Sequence, residues 1–167
     1  MRHQIPHLVP AGDGPLVLHL VGLPGTGKTT LARRLVAHIG GIHLALDDYR
    51  EGGERENEGA ARRELKLDAL SASGPIIFES CGHVWVQNMA KRTARMGRRR
   101  ATAVLLVCPS WEERVRERGV RWGTVEATIE MGRRMGGLEE RFPLRHCPRV
   151  STETDEGRSF SSLLACL

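Results

Sequence analysis

Gly22-Leu23-Pro24-Gly25-Thr26-Gly27-Lys28-Thr29 fits the pattern G-x-x-x-x-G-K-[ST] of a phosphate-binding loop. With average residue usage, the pattern arises by chance at on the order of a few positions in 10⁵. Its flanks sharpen the reading. An apolar run, Leu16 to Val21, precedes the loop, and Leu31, Leu35 and Ile39 recur at i, i+4, i+8 after it, one buried face of a helix. Between a strand and a helix, glycines let backbone N–H groups turn inward around phosphate oxygens, reinforced by the positive end of the helix dipole. Lys28 then reaches the β- and γ-phosphates, and the Thr29 hydroxyl holds Mg²⁺. The expectation is a site for a nucleoside triphosphate, ATP with Mg²⁺.

Apolar runs alternate with helical patterns along the rest of the chain, as in a parallel α/β sheet. Ile42 to Leu46 reads as a second strand ending in Asp47-Asp48-Tyr49-Arg50. A polar stretch, Glu51 to Glu58, reads as mobile and leads into a helix reaching about Ala72. Gly74-Pro75 resets the chain into Ile76-Ile77-Phe78, a third strand that ends at Glu79-Ser80-Cys81-Gly82. The next helix is predicted to carry Trp85, Met89, Thr93 and Met96 on one face and to close at Gly97. Ala101 to Val107 reads as a fully buried fourth strand, and Ser110 with Glu113 as a capping box. A helix follows from Thr124 to Met135, then a short fifth strand, Arg149 to Thr152, and a closing helix bearing Phe160, Leu163, Leu164 and Leu167. The expected fold is a three-layer α/β P-loop NTPase architecture, five parallel strands flanked by helices. Ligands of open α/β sheets sit at the carboxyl ends of the strands. Gly22 to Thr29, Asp47 to Arg50, Glu79 to His83 and Pro109 to Arg121 are therefore expected to converge.

At 167 residues the chain is the size of one domain, read as 15–167 after a loose tail, Met1 to Gly14. Apolar residues at 40% and charged residues at 27% describe an ordinary globular protein. No run of 18 apolar residues is present to cross a membrane, and the tail lacks the apolar core of a signal peptide. A cytoplasmic protein is expected. Cys81, Cys108, Cys147 and Cys166 lack C-x-x-C spacing, which argues for reduced thiols rather than zinc or a disulfide framework. His19 and His43 read as strand residues rather than ligands. The net charge is +5, built from 22 Arg and 3 Lys, which suits an anionic partner. The run Lys91 to Arg100 holds six basic residues and no acidic one. Its place before the fourth strand puts Arg98, Arg99 and Arg100 at the edge opposite the phosphates, as a solvated helix end.

These stretches resemble small P-loop kinases, most closely the polynucleotide 5′-kinase group, with relatives among zeta toxins, gluconate kinases and antibiotic phosphotransferases. Three stretches carry the resemblance: Gly22-x-Pro24-Gly25-x-Gly27-Lys28-Thr29-Thr30, Asp47-Asp48-Tyr49-Arg50, and the Arg-rich helix after the fourth strand, which resembles the lid of these kinases and implies an Arg-rich lid at about residues 110–136. The resemblance implies that Gly22, Pro24, Gly25, Thr26, Gly27, Lys28, Thr29 and Thr30 cradle ATP, that Asp47 contacts the acceptor hydroxyl, and that Arg50 contacts phosphate. Where polynucleotide kinases tend to carry Asp-x-Asn after the third strand, this chain has Glu79-Ser80-Cys81-Gly82.

Phosphoryl transfer needs in-line positioning and charge neutralisation more than covalent chemistry. Of five aspartates, only Asp47 and Asp48 end a predicted strand, where alternation would send one toward the phosphates and the other into the turn. Arg50 is placed to steady an acceptor phosphate or the transferring group by bidentate bonds. Glu79 is a candidate for orienting a Mg²⁺-bound water or for binding acceptor hydroxyls; capping the next helix is the competing role. Arg114 and Arg118, i, i+4 on one helix, with Arg121 after it, are candidates to close onto the β/γ-phosphates, against an ordinary salt-bridged helix with Glu112, Glu113 and Glu117. Trp111 and Trp122 flank these arginines as candidates for base or acceptor contact, or for burial against the lid. The expected activity is ATP-dependent transfer to a hydroxyl, first a 5′-hydroxyl of a nucleic acid or nucleotide. The alternatives are a small-molecule hydroxyl (sugar, nucleoside or antibiotic), or an NTPase or regulatory NTP-binding protein with no acceptor.

Overall fold

The computed structural model describes residues 14–50, 57–120, 123–137, 147–153 and 155–167. Among these residues twelve elements follow one another: β1 (Gly14–Val21), α1 (Lys28–Ile39), β2 (Ile42–Ala45), a 3-10 turn (Leu46–Asp48), α2 (Glu58–Ser71), β3 (Ile76–Ser80), α3 (Val84–Met96), β4 (Arg99–Val107), α4 (Trp111–Arg118), α5 (Val125–Arg134), β5 (Arg149–Ser151) and α6 (Glu156–Leu164). The five strands form one parallel sheet in the order β2-β3-β1-β4-β5. The expected sheet with helices around it is therefore what the chain builds.

Strand alternation sorts the core into two halves. Leu16, Leu18 and Leu20 of β1, with Ile77, Val104 and Leu106, meet Leu31, Ala32 and Leu35 of α1 and Phe160 and Leu163 of α6. On the opposite face Val17, Ile76 and Phe78 meet Ala61, Leu65 and Ala69 of α2 and Val86, Met89, Ala90 and Ala94 of α3. The chain runs leftward from β1 to β2 through α1, then rightward through every later strand. β1 is thus the switch point, and its carboxyl end is the natural mouth of a ligand site.

Several expectations need correction. β2 stops at Ala45, and both aspartates lie in the 3-10 turn, so strand alternation does not sort them. The buried face of α3 is Val86, Met89, Ala90, Thr93 and Ala94; Met96 is 60% exposed and Trp85 is only half-buried. Gly97 has an ordinary φ of −89°, and Arg98, at +49°, takes the left-handed position instead. A side chain on Gly97 would run into the Arg99 side chain folded across it. Arg99 is not solvated: at 8% exposure it donates to Gly74 O (2.6 Å) and Ala72 O, tying the end of α2 to the start of β4. β4 is not buried throughout: Arg99 and Val104 to Leu106 are buried; Ala101, Thr102, Ala103 and Val107 are partly exposed; and Arg100 is exposed. Ser110 does not cap α4 with its side chain; Glu153, from the chain after β5, accepts from Ser110 N (3.3 Å) instead. Gly14, expected in the tail, is the first residue of β1; the rest of the tail, most of the Glu51–Glu58 stretch, Arg121 and Trp122 lie outside the described residues.

Candidate active site

The loop between β1 and α1 is shaped by close contacts. A side chain on Gly22 would meet Thr26 Oγ1 at 2.6 Å and Leu106 O at 2.9 Å. Gly25, at φ +75°, combines a left-handed backbone with a carbonyl, Trp111 O, 2.6 Å from where a Cβ would stand. Both positions require glycine. Thr26 is buried and donates to Leu23 O (2.8 Å), and Lys28 Nζ donates to the same carbonyl (2.9 Å), which holds the ammonium over the loop. The first helical bond of α1 runs from Leu31 N to Gly27 O (3.0 Å). By helix geometry the N–H groups of Lys28, Thr29 and Thr30 then face out of the helix end, where an anion is favoured.

A cleft of about 1460 Å³ opens above this end. Pro24, Gly25, Gly27, Lys28, Thr29 and Thr30 form its floor, Asp47 and Arg50 one side, Glu79 the back, and Arg114 and Arg118 the opposite side. Gly22 and Thr26, expected with the floor, instead line a smaller cavity of about 300 Å³ behind the loop, because the Thr26 side chain turns inward to Leu23 O. All the other described site residues expected from sequence meet in the one cleft.

At its back, Thr29 Oγ1 donates to Glu79 Oε1 (2.9 Å) while His43 Nε2 donates to Glu79 Oε2 (2.7 Å). Burial alone would push the Glu79 carboxyl up; the His43 hydrogen bond and ring, the Lys28 charge and the Thr29 hydroxyl outweigh it and hold Glu79 below its ordinary value. The acid is thus ionised, next to a hydroxyl and an ammonium. Helix capping, the competing role, falls to His83, whose Nδ1 accepts from Trp85 N (3.3 Å).

Asp47 is 63% exposed and paired with Arg50. Arg50 also grips Glu58, with Nε and Nη2 at 2.8 and 2.7 Å, and Arg62 grips the other oxygen of Glu58, with Nε and Nη2 at 2.9 and 2.8 Å. Burial opposes ionisation of Glu58, but the two guanidinium groups keep its carboxyl below the usual range. Burial and the Arg62 charge push the neighbouring His83 down. On the far wall Arg114 is anchored to Thr152 O (2.5 Å), whereas Arg118 is exposed and has no ion-pair partner among the described residues. Glu112 takes a bidentate bond from Arg133 (2.8 and 2.7 Å), and Trp111 lays its ring on Gly132, so α4 and α5 pack as one hairpin. Trp111 is therefore used for packing.

Sequence reading missed His43, Glu58 and Arg62 as cleft-lining or site-shaping residues, whereas His83 lies in the Glu79 to His83 stretch that was expected to converge there. Of the three, only His43 left a signal, a polar residue inside the apolar run Ile42 to Leu46; Glu58 and Arg62 reach the cleft by tertiary placement of α2.

Glycine cradle, lysine, threonine and strand-end carboxylates on a five-stranded parallel sheet define a P-loop protein of the kinase-like fold. Residues 17–127 match the model of the AAA domain family, and the chain belongs to that family. Among curated proteins none matches the sequence. Among solved structures the fold is similar to a gluconokinase from Sinorhizobium meliloti 1021 (TM-score 0.62, 12% identity, covering 93% of this chain and 92% of that one). It is similar also to the APS kinase CysC of Mycobacterium tuberculosis in complex with AMPPNP and APS (TM-score 0.60, 15% identity, 94% and 98% covered). A shikimate kinase from Acinetobacter baumannii in complex with shikimate aligns as well (TM-score 0.57, 19% identity, 92% of each chain covered).

Proposed function

We propose that this chain is an ATP-dependent phosphotransferase whose acceptor is a hydroxyl of a small molecule. The observation that carries the reading is the meeting of Lys28, Thr29, Glu79, Asp47 and Arg50 in one cleft at the carboxyl end of the sheet. Lys28 and the N–H groups at the start of α1 receive the β- and γ-phosphates. Asp47 orients the acceptor hydroxyl and takes its proton as the oxygen bonds to the γ-phosphorus and the bond to the bridging oxygen breaks, leaving ADP. Arg50, Arg118 and the anchored Arg114 steady the charge spread over the transferring group, with Arg121 added from the segment after α4.

Thr29 Oγ1 and the Glu79 carboxylate, 2.9 Å apart, are two hard oxygens beside the phosphate-binding end. That donor set fits Mg²⁺, which takes one or two protein oxygens and completes its shell from phosphates and water. Thr29 and Glu79 would hold the ion, directly or through water, and it would supply charge neutralisation at the phosphates.

The solved structures of similar fold carry the names of small-molecule kinases, which supports a small acceptor over a nucleic-acid 5′ end. The acceptor wall of Arg50, Glu58, Arg62 and His83 suits a polyhydroxylated or acidic compound. A transfer assay with labelled ATP across sugars, sugar acids, nucleosides, aminoglycosides and 5′-hydroxyl oligonucleotides tests this. Transfer to a small molecule is expected, abolished in Lys28→Ala and reduced in Asp47→Asn far more in turnover than in ATP affinity. Transfer to oligonucleotides alone would restore the polynucleotide-kinase reading, and hydrolysis indifferent to every acceptor would mark a plain NTPase. Undiminished turnover in Asp47→Asn would remove the assignment of the base.

A further inference from the structure

His43 stands on β2, the edge strand, yet its side chain is only 11% exposed. In the parallel register it faces Ile77, and Glu79 lies two residues further along β3 on the same side of the sheet. Such diagonal neighbours are within reach of a ring. His43 uses that reach to place Nε2 2.7 Å from Glu79 Oε2. An ionised carboxylate only accepts, so Nε2 carries a proton and donates it to Glu79. The other Glu79 oxygen is held 2.9 Å from Thr29 Oγ1. Grasped from opposite sides, the carboxylate cannot rotate without losing one bond.

We propose that His43 is a positioning residue for the cation site: it sets which oxygen of Glu79 faces Thr29 and the nucleotide, so that the pair is ready for a divalent ion. The inference rests on the reading of Thr29 and Glu79 as metal-holding residues. The competing role is structural, a histidine that merely pairs with a buried acid. The two separate cleanly: loss of a structural partner lowers melting temperature alone, whereas loss of an orienting partner weakens metal binding by about 10–100-fold.

Mn²⁺ serves as probe, its free concentration read by electron paramagnetic resonance with full-length protein and AMPPNP, at a temperature where every variant is folded. His43→Phe and His43→Leu, two fillers of different shape, are expected to raise the Mn²⁺ dissociation constant about 10–100-fold, with AMPPNP affinity in the absence of metal unchanged. His43→Gln, whose amide N–H donates toward the same oxygen, is expected to recover affinity to within a few-fold. Glu79→Gln is the reference. If it loses Mn²⁺ while the Phe and Leu variants stay within about twofold of wild type, or if Gln loses as much as they do, His43 does not orient the acid and the inference falls. If Glu79→Gln itself binds Mn²⁺ normally, the underlying metal assignment falls instead.

Discussion

His19 sits in mid-β1, 3% exposed, with Nε2 2.8 Å from Ser80 Oγ. That hydroxyl already accepts from Gly82 N (3.2 Å) and His83 N (3.3 Å), so its one hydrogen goes to the ring. Nε2 is then the acceptor and the proton resides on Nδ1, a buried atom with no hydrogen-bond partner among the described residues. Burial, aided by the Lys91 charge, pushes the ring's pKa down from 6.5 to about 4. The unfolded chain takes up a proton that the folded chain refuses, so stability is lost as the pH falls from about 6.5 toward about 4. At pH 5 the loss amounts to roughly 2 kcal/mol from this ring. Urea midpoints of wild type and His19→Gln at pH 7 and pH 5 measure it. The wild type is expected to lose about 2 kcal/mol more than the variant over that interval; parallel losses would show that the ring protonates without unfolding. Lys28 and Thr29 were readable as residues because their motif dictates the backbone around them. His19 and His43 gave only the hint of a polar residue in an apolar strand, since whether such a ring finds Ser80 or Glu79 is decided by the neighbouring strand.

The start of α4 shows where local pattern yields to tertiary structure. Ser110 and Glu113 have the spacing of a capping box, but Ser110 adopts φ −84° and ψ 22°, outside the extended region that aims a capping hydroxyl at the helix. The open N–H goes to Glu153 Oε2, which also accepts from Cys108 Sγ (3.2 Å), and the Ser110 hydroxyl, the Cys108 thiol and the Ser110 N–H together hold the Glu153 carboxyl below its usual range. Arg114 closes the same junction through Thr152 O, so the strand end after β5 serves as the cap of α4. Glu153→Ala is therefore expected to lower the melting temperature more than Ser110→Ala, with thermal unfolding as the measure; the reverse order would return the cap to Ser110. Arg99 follows the same logic. A basic run beside a helix end reads as solvated, yet one of its members is drawn inside to meet the carbonyls left open after α2. The elements themselves were legible, because apolar periodicity survives any tertiary arrangement. The caps at the end of α2 and the start of α4 were not, because partners from 25 to 43 residues away in sequence satisfy them, whereas Thr124, where a helix was expected to begin, caps α5 locally by accepting from Ala127 N.

At the scale of the molecule, strand order does the work that no local pattern could. Sequence alone gave four polar strand ends expected to converge, and the order β2-β3-β1-β4-β5 places β3 and β4 on either side of the phosphate loop. Glu79 thereby meets Thr29, and α4 lies against Gly25. The cleft joins the rigid sheet end to a hairpin of α4 and α5 that is fastened to itself by Glu112, Arg133 and Trp111. A triphosphate spanning that cleft would bind only the folded chain, and so would raise its stability by mass action. With MgATP at a hundredfold excess over its dissociation constant the gain is about 2.7 kcal/mol. For a chain of this size it corresponds to a rise of about 5–10 °C in melting temperature. Chelating the Mg²⁺ should remove part of the rise, since the phosphates then lose their shared cation, and Lys28→Ala should remove nearly all of it. An equal rise in Lys28→Ala would mean that the nucleotide sits elsewhere, and the convergence at the sheet's carboxyl end would have to serve another ligand.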